Sequence, residues 1–244
     1  MTQKQSIAFD RRIDIEWLDA AAAQIAAGTE VEEARAALFQ LLEGKVAGGR
    51  KKGLSCHKTV GILSRAWITV APEIVSLRDR AVRLLPSLEP HERVALHWSL
   101  LTAGFPFFGD LAATAGRLLN LQGNFSLAQL IRRLRETWGD RSTMSTAAPR
   151  IVRSMVQWEV LKGAEERGNY TGALQATMAR GELAELLLEG LLIHQGRAVS
   201  IEQVTGHPAL FPFGLELHAH RLRQSAQFDV HRQGLNTDVV QLAS

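Results

Sequence analysis

A helix start with two interlocking signals constrains this chain most. Ser126 and Gln129 stand three apart at the head of an apolar run, the capping-box spacing in which hydroxyl and amide satisfy each other's free backbone groups. Leu127, Leu130, Ile131 and Leu134 follow at helical spacing, and Gly139 supplies a left-handed residue to end the helix. After the turn Gly139-Asp140-Arg141, a second helix is predicted from near Ser142 or Thr143 to about Trp158. Its apolar side is Ala148, Ile151, Val152, Met155 and Val156, which leaves Ser142, Ser145, Thr146, Arg150, Arg153 and Gln157 outward. Val160-Leu161-Lys162 reads as a strand, Glu165 to Asn169 as a polar turn and Tyr170-Thr171 as the returning strand of a hairpin. With a preceding helix over 107–121, carrying Leu111, Ala115, Leu118 and Leu119, this order is that of a winged helix-turn-helix. Pro149 falls beyond the first turn, so the second helix is either kinked or regular only from about Ser145.

The outward face of that second helix carries cations and hydroxyls and no acid. Such a helix fits the DNA major groove, about 12 Å wide, where arginine bonds guanine edges and hydroxyls bond phosphates or bases. The expected contacts are Arg141, Ser142, Ser145, Thr146, Arg150 and Arg153, with Lys162 and Arg167 on the wing, and base readout centred on Arg150, Arg153 and Ser145. Charge distribution adds a second footprint. Residues 1–43 hold four Lys/Arg and eight Asp/Glu, a net of −4, whereas residues 44–83 hold nine and two, a net of +7. Arg50, Lys51 and Lys52 lie between glycines, with Lys58 beyond them. They are expected to hold backbone phosphates rather than read bases.

Elsewhere helices dominate, so the expected class is mainly α with a small amount of β. Helices are expected over 15–27, over 29–42 with Thr29 and Glu32 as a capping box, and over 55–67 with Ser55 as cap. Pro72 and Pro90 begin two more, and Pro106 stops the latter. Towards the C-terminus, 182–195 forms an apolar helix ended by Gly196, Ser200 and Gln203 make another capping box, and 228–232 is strand-like. The expected organisation is an N-terminal helical region over 1–90, a winged helix-turn-helix over 91–175, and a C-terminal helical or degenerate winged-helix region over 176–244. That last region reads chiefly as a packing platform. No internal repeat is visible in the sequence.

Enzymatic and metal readings find little purchase. Cys56 and His57 are neighbours whose side chains diverge on a helix. Glu216, His218 and His220 would share a face on a strand but scatter on a helix. His91 and His97 read as surface and core residues of one helix, and no phosphate-loop, dinucleotide-binding or zinc-protease pattern occurs. The expectation is therefore no catalysis, no metal, no cofactor and no small-molecule substrate. A single cysteine points to a reducing compartment, and no stretch approaches the roughly 18 apolar residues of a membrane span, so a cytoplasmic protein without a membrane partner is expected.

The order Phe105-Pro106-Phe107-Phe108-Gly109-Asp110-Leu111-Ala112, then Gly116-Arg117-Leu118-Leu119 and Leu121-Gln122-Gly123, then Arg141-Ser142-Thr143 and residues 150–158, resembles the BrxA family of bacteriophage-exclusion (BREX) defence systems. The resemblance covers roughly the central third of the chain. It implies a small, mostly helical accessory protein that binds double-stranded DNA in a bacterial anti-phage system, beside larger ATPase, methyltransferase and phosphatase-like subunits, and it supplies no catalytic residues. Three alternatives compete with it. A winged-helix transcriptional regulator would need a palindromic site and a dimer, a protein adaptor would dock through the apolar segment 210–213, and an RNA-binding protein would need more aromatic display.

Overall fold

The predicted apolar periodicities take shape as helices in the computed structural model, which describes residues 7–166, 168–173, 177–233 and 237–243. The protein is mainly helical, with short strands. Helix α1 (Ile15–Ala26) buries Leu18, Ala21 and Ala22, and α2 (Val31–Leu41) buries Ala34 and Leu38, both at i, i+3 or i+4 spacing. The capping box expected at Thr29 and Glu32 does not form. Gly28, at φ 68°, and the Thr29 amide, which donates to the Gln24 carbonyl, are used to close α1, so α2 starts after Glu30 without a side-chain cap. Ser55 likewise is the first residue of α3 (Ser55–Leu63) and not its cap. A single π-helical turn, Ser64–Ile68, prolongs α3 through Trp67.

A 3-10 turn at Pro72–Ile74 leads into α4 (Val75–Leu84), and α5 (Arg93–Gly104) follows. Helix α5 begins three residues after Pro90, so His91 lies in the turn before it while His97 is buried. Pro106 opens α6 (Pro106–Gln122), which ends on left-handed Gly123. Then come β1 (Phe125–Ser126), α7 (Leu127–Trp138), α8 (Met144–Gln157), β2 (Leu161–Gly163) and β3 (Asn169–Gly172). After β4 (Thr177–Ala179), α9 (Gly181–Gln195) ends on left-handed Gly196. The chain closes with β5 (Val199–Ser200), α10 (Ile201–Thr205), a 3-10 turn at Pro208–Leu210, β6 (Phe213–Leu215), α11 (Ala219–Leu222), β7 (Phe228–Gln233) and β8 (Thr237–Leu242).

Helices α5 and α9 form the spine of the core, and both are apolar almost all round. They approach closely because Gly190 lacks a side chain, since a Cβ there would collide with the Ser99 backbone carbonyl. Trp98 on α5 is the node of the core. Its indole N–H donates to the Ala209 carbonyl at 2.9 Å, and Phe108, Trp158, Phe211 and Phe213 present or receive ring edges around it. Buried Arg80 on α4 binds Glu189 and Glu185 on α9, and burial pushes the Glu189 carboxyl above its ordinary range.

Two three-stranded antiparallel sheets share one topology. The orders are β1-β3-β2 and β5-β8-β7, so in each the returning strand of a hairpin pairs with a two-residue strand ahead of a capped helix. The weak echo in the sequence, a helix-ending glycine followed by a capping serine, is matched by the strand order. The stretches leading in are also alike: a helix ending on left-handed glycine, two intervening residues in the central unit and three in the C-terminal one, then a serine whose hydroxyl accepts from a glutamine amide three residues on.

Candidate nucleic-acid interface

Helix α7 starts as predicted. Ser126 Oγ accepts the Gln129 amide at 3.2 Å while the Ser126 amide donates to Gln129 Oε1 at 2.8 Å. Leu130, Leu134 and Trp138 pack inward, and the Trp138 indole donates to Asp110 on α6 at 2.8 Å, which fixes the C-terminal end of α7. Gly139, at φ 70°, releases the chain into the turn, where the Arg141 guanidinium lies 5.3 Å over the Trp138 ring.

Helix α8 buries Met144, Ala147, Ala148, Ile151, Val152 and Met155, and leaves Ser145, Thr146 and Arg153 exposed. Val156, expected on the apolar side, is 36% exposed. Ser145 and Thr146 hydroxyls donate to the Ser142 and Thr143 carbonyls of the same turn, which leaves their oxygens able to accept. Pro149 lies inside the helix, where the missing N–H leaves the Ser145 carbonyl without its usual helical donor. Strand β2 carries exposed Lys162 opposite Thr171 of β3, and Phe125 of β1 stacks on Tyr170. Arg167 lies outside the described residues.

The N-terminal segment covers part of the polar side of α8, so Arg150 and Gln157, expected mostly outward, are half-buried while Arg153 stays exposed. The Arg150 guanidinium donates to the Asp10 carbonyl at 2.8 Å, and the Ile13 amide donates to Ser154 Oγ at 2.8 Å. The Trp158 indole donates to the Ile13 carbonyl at 2.9 Å, and the Ile15 amide donates to Gln157 Oε1 at 2.7 Å. Phe9 and Ile13 are fully buried, so this stretch is an integral part of the core. The physical reason is backbone satisfaction: an extended segment entering the core needs partners for its amides and carbonyls, and α8 provides them.

The same docking brings new cations to α8. A cleft of about 680 Å³ is lined by Arg11, Arg12 and Lys45 together with Arg150 and Arg153, by the hydroxyl residues Ser55 and Thr59, and by Asp14 and Glu16. Arg12 pairs with Asp14 at 2.8 Å and Arg11 with Asp10 at 3.1 Å. Sequence reasoning missed Arg11 and Arg12 because they sit in the net-negative N-terminal stretch of the chain, and it passed over Lys45 in favour of the denser Arg50-Lys51-Lys52 run. Lys45 and Val46 also line a neighbouring concavity of about 710 Å³ that reaches Arg50, so the two concavities adjoin.

That basic segment is a set of tied turns and not an open loop. The Lys51 amide donates to the Gly48 carbonyl, the Leu54 amide to Lys51 and the Cys56 amide to Ala47. Gly48, Gly49 and Gly53 supply the positive φ the turns require. Arg50, Lys51, Lys52 and Lys58 are exposed, with the Arg50 guanidinium 5.5 Å over Phe39. Lys45 and Val46 thus stand between the cleft that holds Arg150 and Arg153 and the concavity that holds Arg50, and Lys162 lies on β2 of the hairpin.

Chemistry-bearing residues elsewhere are arranged otherwise. Cys56 is buried, and burial pushes its thiol up. His97 is buried against Trp67 and Asp19, and desolvation pushes its imidazole down. Glu216 and His218 hydrogen-bond and His218 stacks on His220, yet no group of three His, Cys, Asp or Glu among the described residues is disposed to hold a metal ion. No single helix among the described residues is long and apolar enough to cross a membrane. Comparison of the chain with protein-family models, curated proteins and solved structures gives no match.

Proposed function

We propose that this chain is a non-catalytic accessory protein that binds double-stranded DNA, with residues 91–175 acting as a winged helix-turn-helix. The observation that carries the reading is the meeting of Arg11, Arg12, Lys45, Arg150 and Arg153 along one cleft, which shares Lys45 and Val46 with the concavity at Arg50. These cations come from three distant parts of the sequence, and a fold that concentrates them on one surface suits a polyanion. Within its first three turns α8 exposes Ser145, Thr146 and Arg153, and Arg153 lines that cleft. Because Arg150 and Gln157 are held by the N-terminal segment, base contacts are limited to a few side chains, and phosphate contacts by the basic segment dominate affinity. The resemblance of residues 105–123 and 141–158 to the BrxA family of bacteriophage-exclusion systems supports a role in anti-phage defence, in the bacterial cytoplasm, with other subunits of the defence complex as partners.

The test is Arg153→Ala. Its exposed side chain supports no core packing, so circular dichroism should be unchanged while affinity for a duplex falls by roughly 1–3 kcal/mol if it contacts a base and less if it contacts phosphate. A folded variant with the parent's affinity for duplex would put DNA elsewhere or nowhere on this protein. Stronger binding of single strands or RNA than of duplex would refute the reading.

A further inference from the structure

The C-terminal unit repeats the strand order of the central one, with Val199 and Ser200 pairing Val240 and Val239 as Phe125 and Ser126 pair Tyr170 and Asn169. In both units a helical segment packs against the first strand of the hairpin: α8 against β2, and α11 against β7. Helix α11 therefore occupies the place that α8 holds in the central unit. Around it the fold brings Arg180 to the cations of one short stretch of sequence. Arg221 belongs to α11, His218 stands just ahead of it, Arg223 follows it, and Arg180 joins from the head of α9. Arg180, His218 and Arg221 line one concavity of about 260 Å³ with Glu185 and Glu216.

We propose that this patch is a second contact surface for duplex DNA, one that grips phosphates without reading bases. The inference rests on the proposed DNA-binding function and extends it to a separate part of the molecule. A four-residue helix is only about 6 Å long, too short to run along the major groove as the 14-residue α8 can. Its cations are long and exposed: Arg180, Arg221 and Arg223 have side-chain exposures of 71%, 52% and 46%. Their present partners are Glu216, Glu185 and Asp238. Exposed ion pairs of this kind are weak, so a phosphate, bringing counterion release with it, competes for the same guanidinium groups.

The experiment uses the full chain and a 30-base-pair duplex over a salt series. The triple variant Arg180→Ala, Arg221→Ala, Arg223→Ala should flatten the dependence of log affinity on log salt by roughly 2–3 units, one for each phosphate no longer neutralised, and to the same degree on an unrelated duplex. A matching triple lysine variant keeps the charges and should keep the slope. A folded alanine variant with the parent's slope overturns the proposal, and so does a weakening confined to one duplex sequence. Arg153→Ala measured alongside separates the two claims. If it weakens binding while the C-terminal variant does not, the central interface stands and the second surface falls. If the parent does not bind duplex at all, both fall.

Discussion

The central and C-terminal units begin alike and part company between their capped helix and their hairpin. In the central unit that interval is α8, whose one side is core and whose other side carries Ser145, Thr146 and Arg153 into solvent. In the C-terminal unit its first part, ahead of the short α11, is a proline-punctuated segment that turns inward. Ala209, Leu210 and Phe213 are buried, and Phe211 and Phe213 close over Trp98. The lesson is that a shared strand order sets where an interval starts and ends, and side-chain polarity decides whether it is spent on display or on packing.

The largest effect should come from the packed interval. Phe213→Ala removes a ring 5.6 Å from Trp98 in a site that is 5% exposed, and the cavity should cost about 3–5 kcal/mol of stability in denaturant unfolding. Val156→Ala on α8 should cost well under half of that, since Val156 is 36% exposed. Equal losses would erase the contrast between the two intervals.

Acid sharpens the same contrast, because the C-terminal interval opens on His207 and the central one holds no histidine. His207 is pushed down to about 4 from 6.5, first by burial and then by nearby His194, Arg117 and Arg197. The folded state therefore holds this imidazole neutral while the unfolded chain takes up a proton. Its contribution to stability is complete above about pH 6.5 and declines as pH falls towards 4. Urea midpoints from pH 7 to 4 should fall more steeply in the parent than in His207→Asn, and parallel profiles would show that the ring is not held neutral.

The smallest effect concerns the shared beginning. Ser126→Ala breaks a reciprocal cap on a 12-residue helix and should cost about 1 kcal/mol. Ser200→Ala removes a single hydroxyl acceptor from a five-residue helix and should cost less. A reversal of that order would mean the C-terminal cap carries the more demanding structure.

Local rules made the helices legible, and distant pairings stayed hidden. Helix α7 could be read because Ser126, Gln129, the leucine spacing and Gly139 all lie within one short window. The hairpin could be read for the same reason. Strand β1 could not, since Phe125 finds Tyr170 only after two helices and a turn have brought them together. The end of α8 carries no glycine, because Glu159 takes the left-handed conformation at φ 61° instead. Arg150 and Gln157 read as outward because helical periodicity knows nothing of an extended segment some 140 residues away that needs hydrogen-bond partners. That docking tied one expected contact, Arg150, to the Asp10 carbonyl and brought Arg11 and Arg12, which charge counting had assigned to an acidic region, to the same cleft.

The most direct test of the interface is the salt dependence of duplex binding by the intact chain. With about five phosphates neutralised along the α8 cleft and the basic turns, log affinity should fall against log salt with a slope near −4 to −5. Replacing Arg50, Lys51 and Lys52 by alanine should flatten that slope by roughly 2–3 on any duplex sequence. An affinity independent of salt, or no binding to any duplex at low salt, would contradict the account.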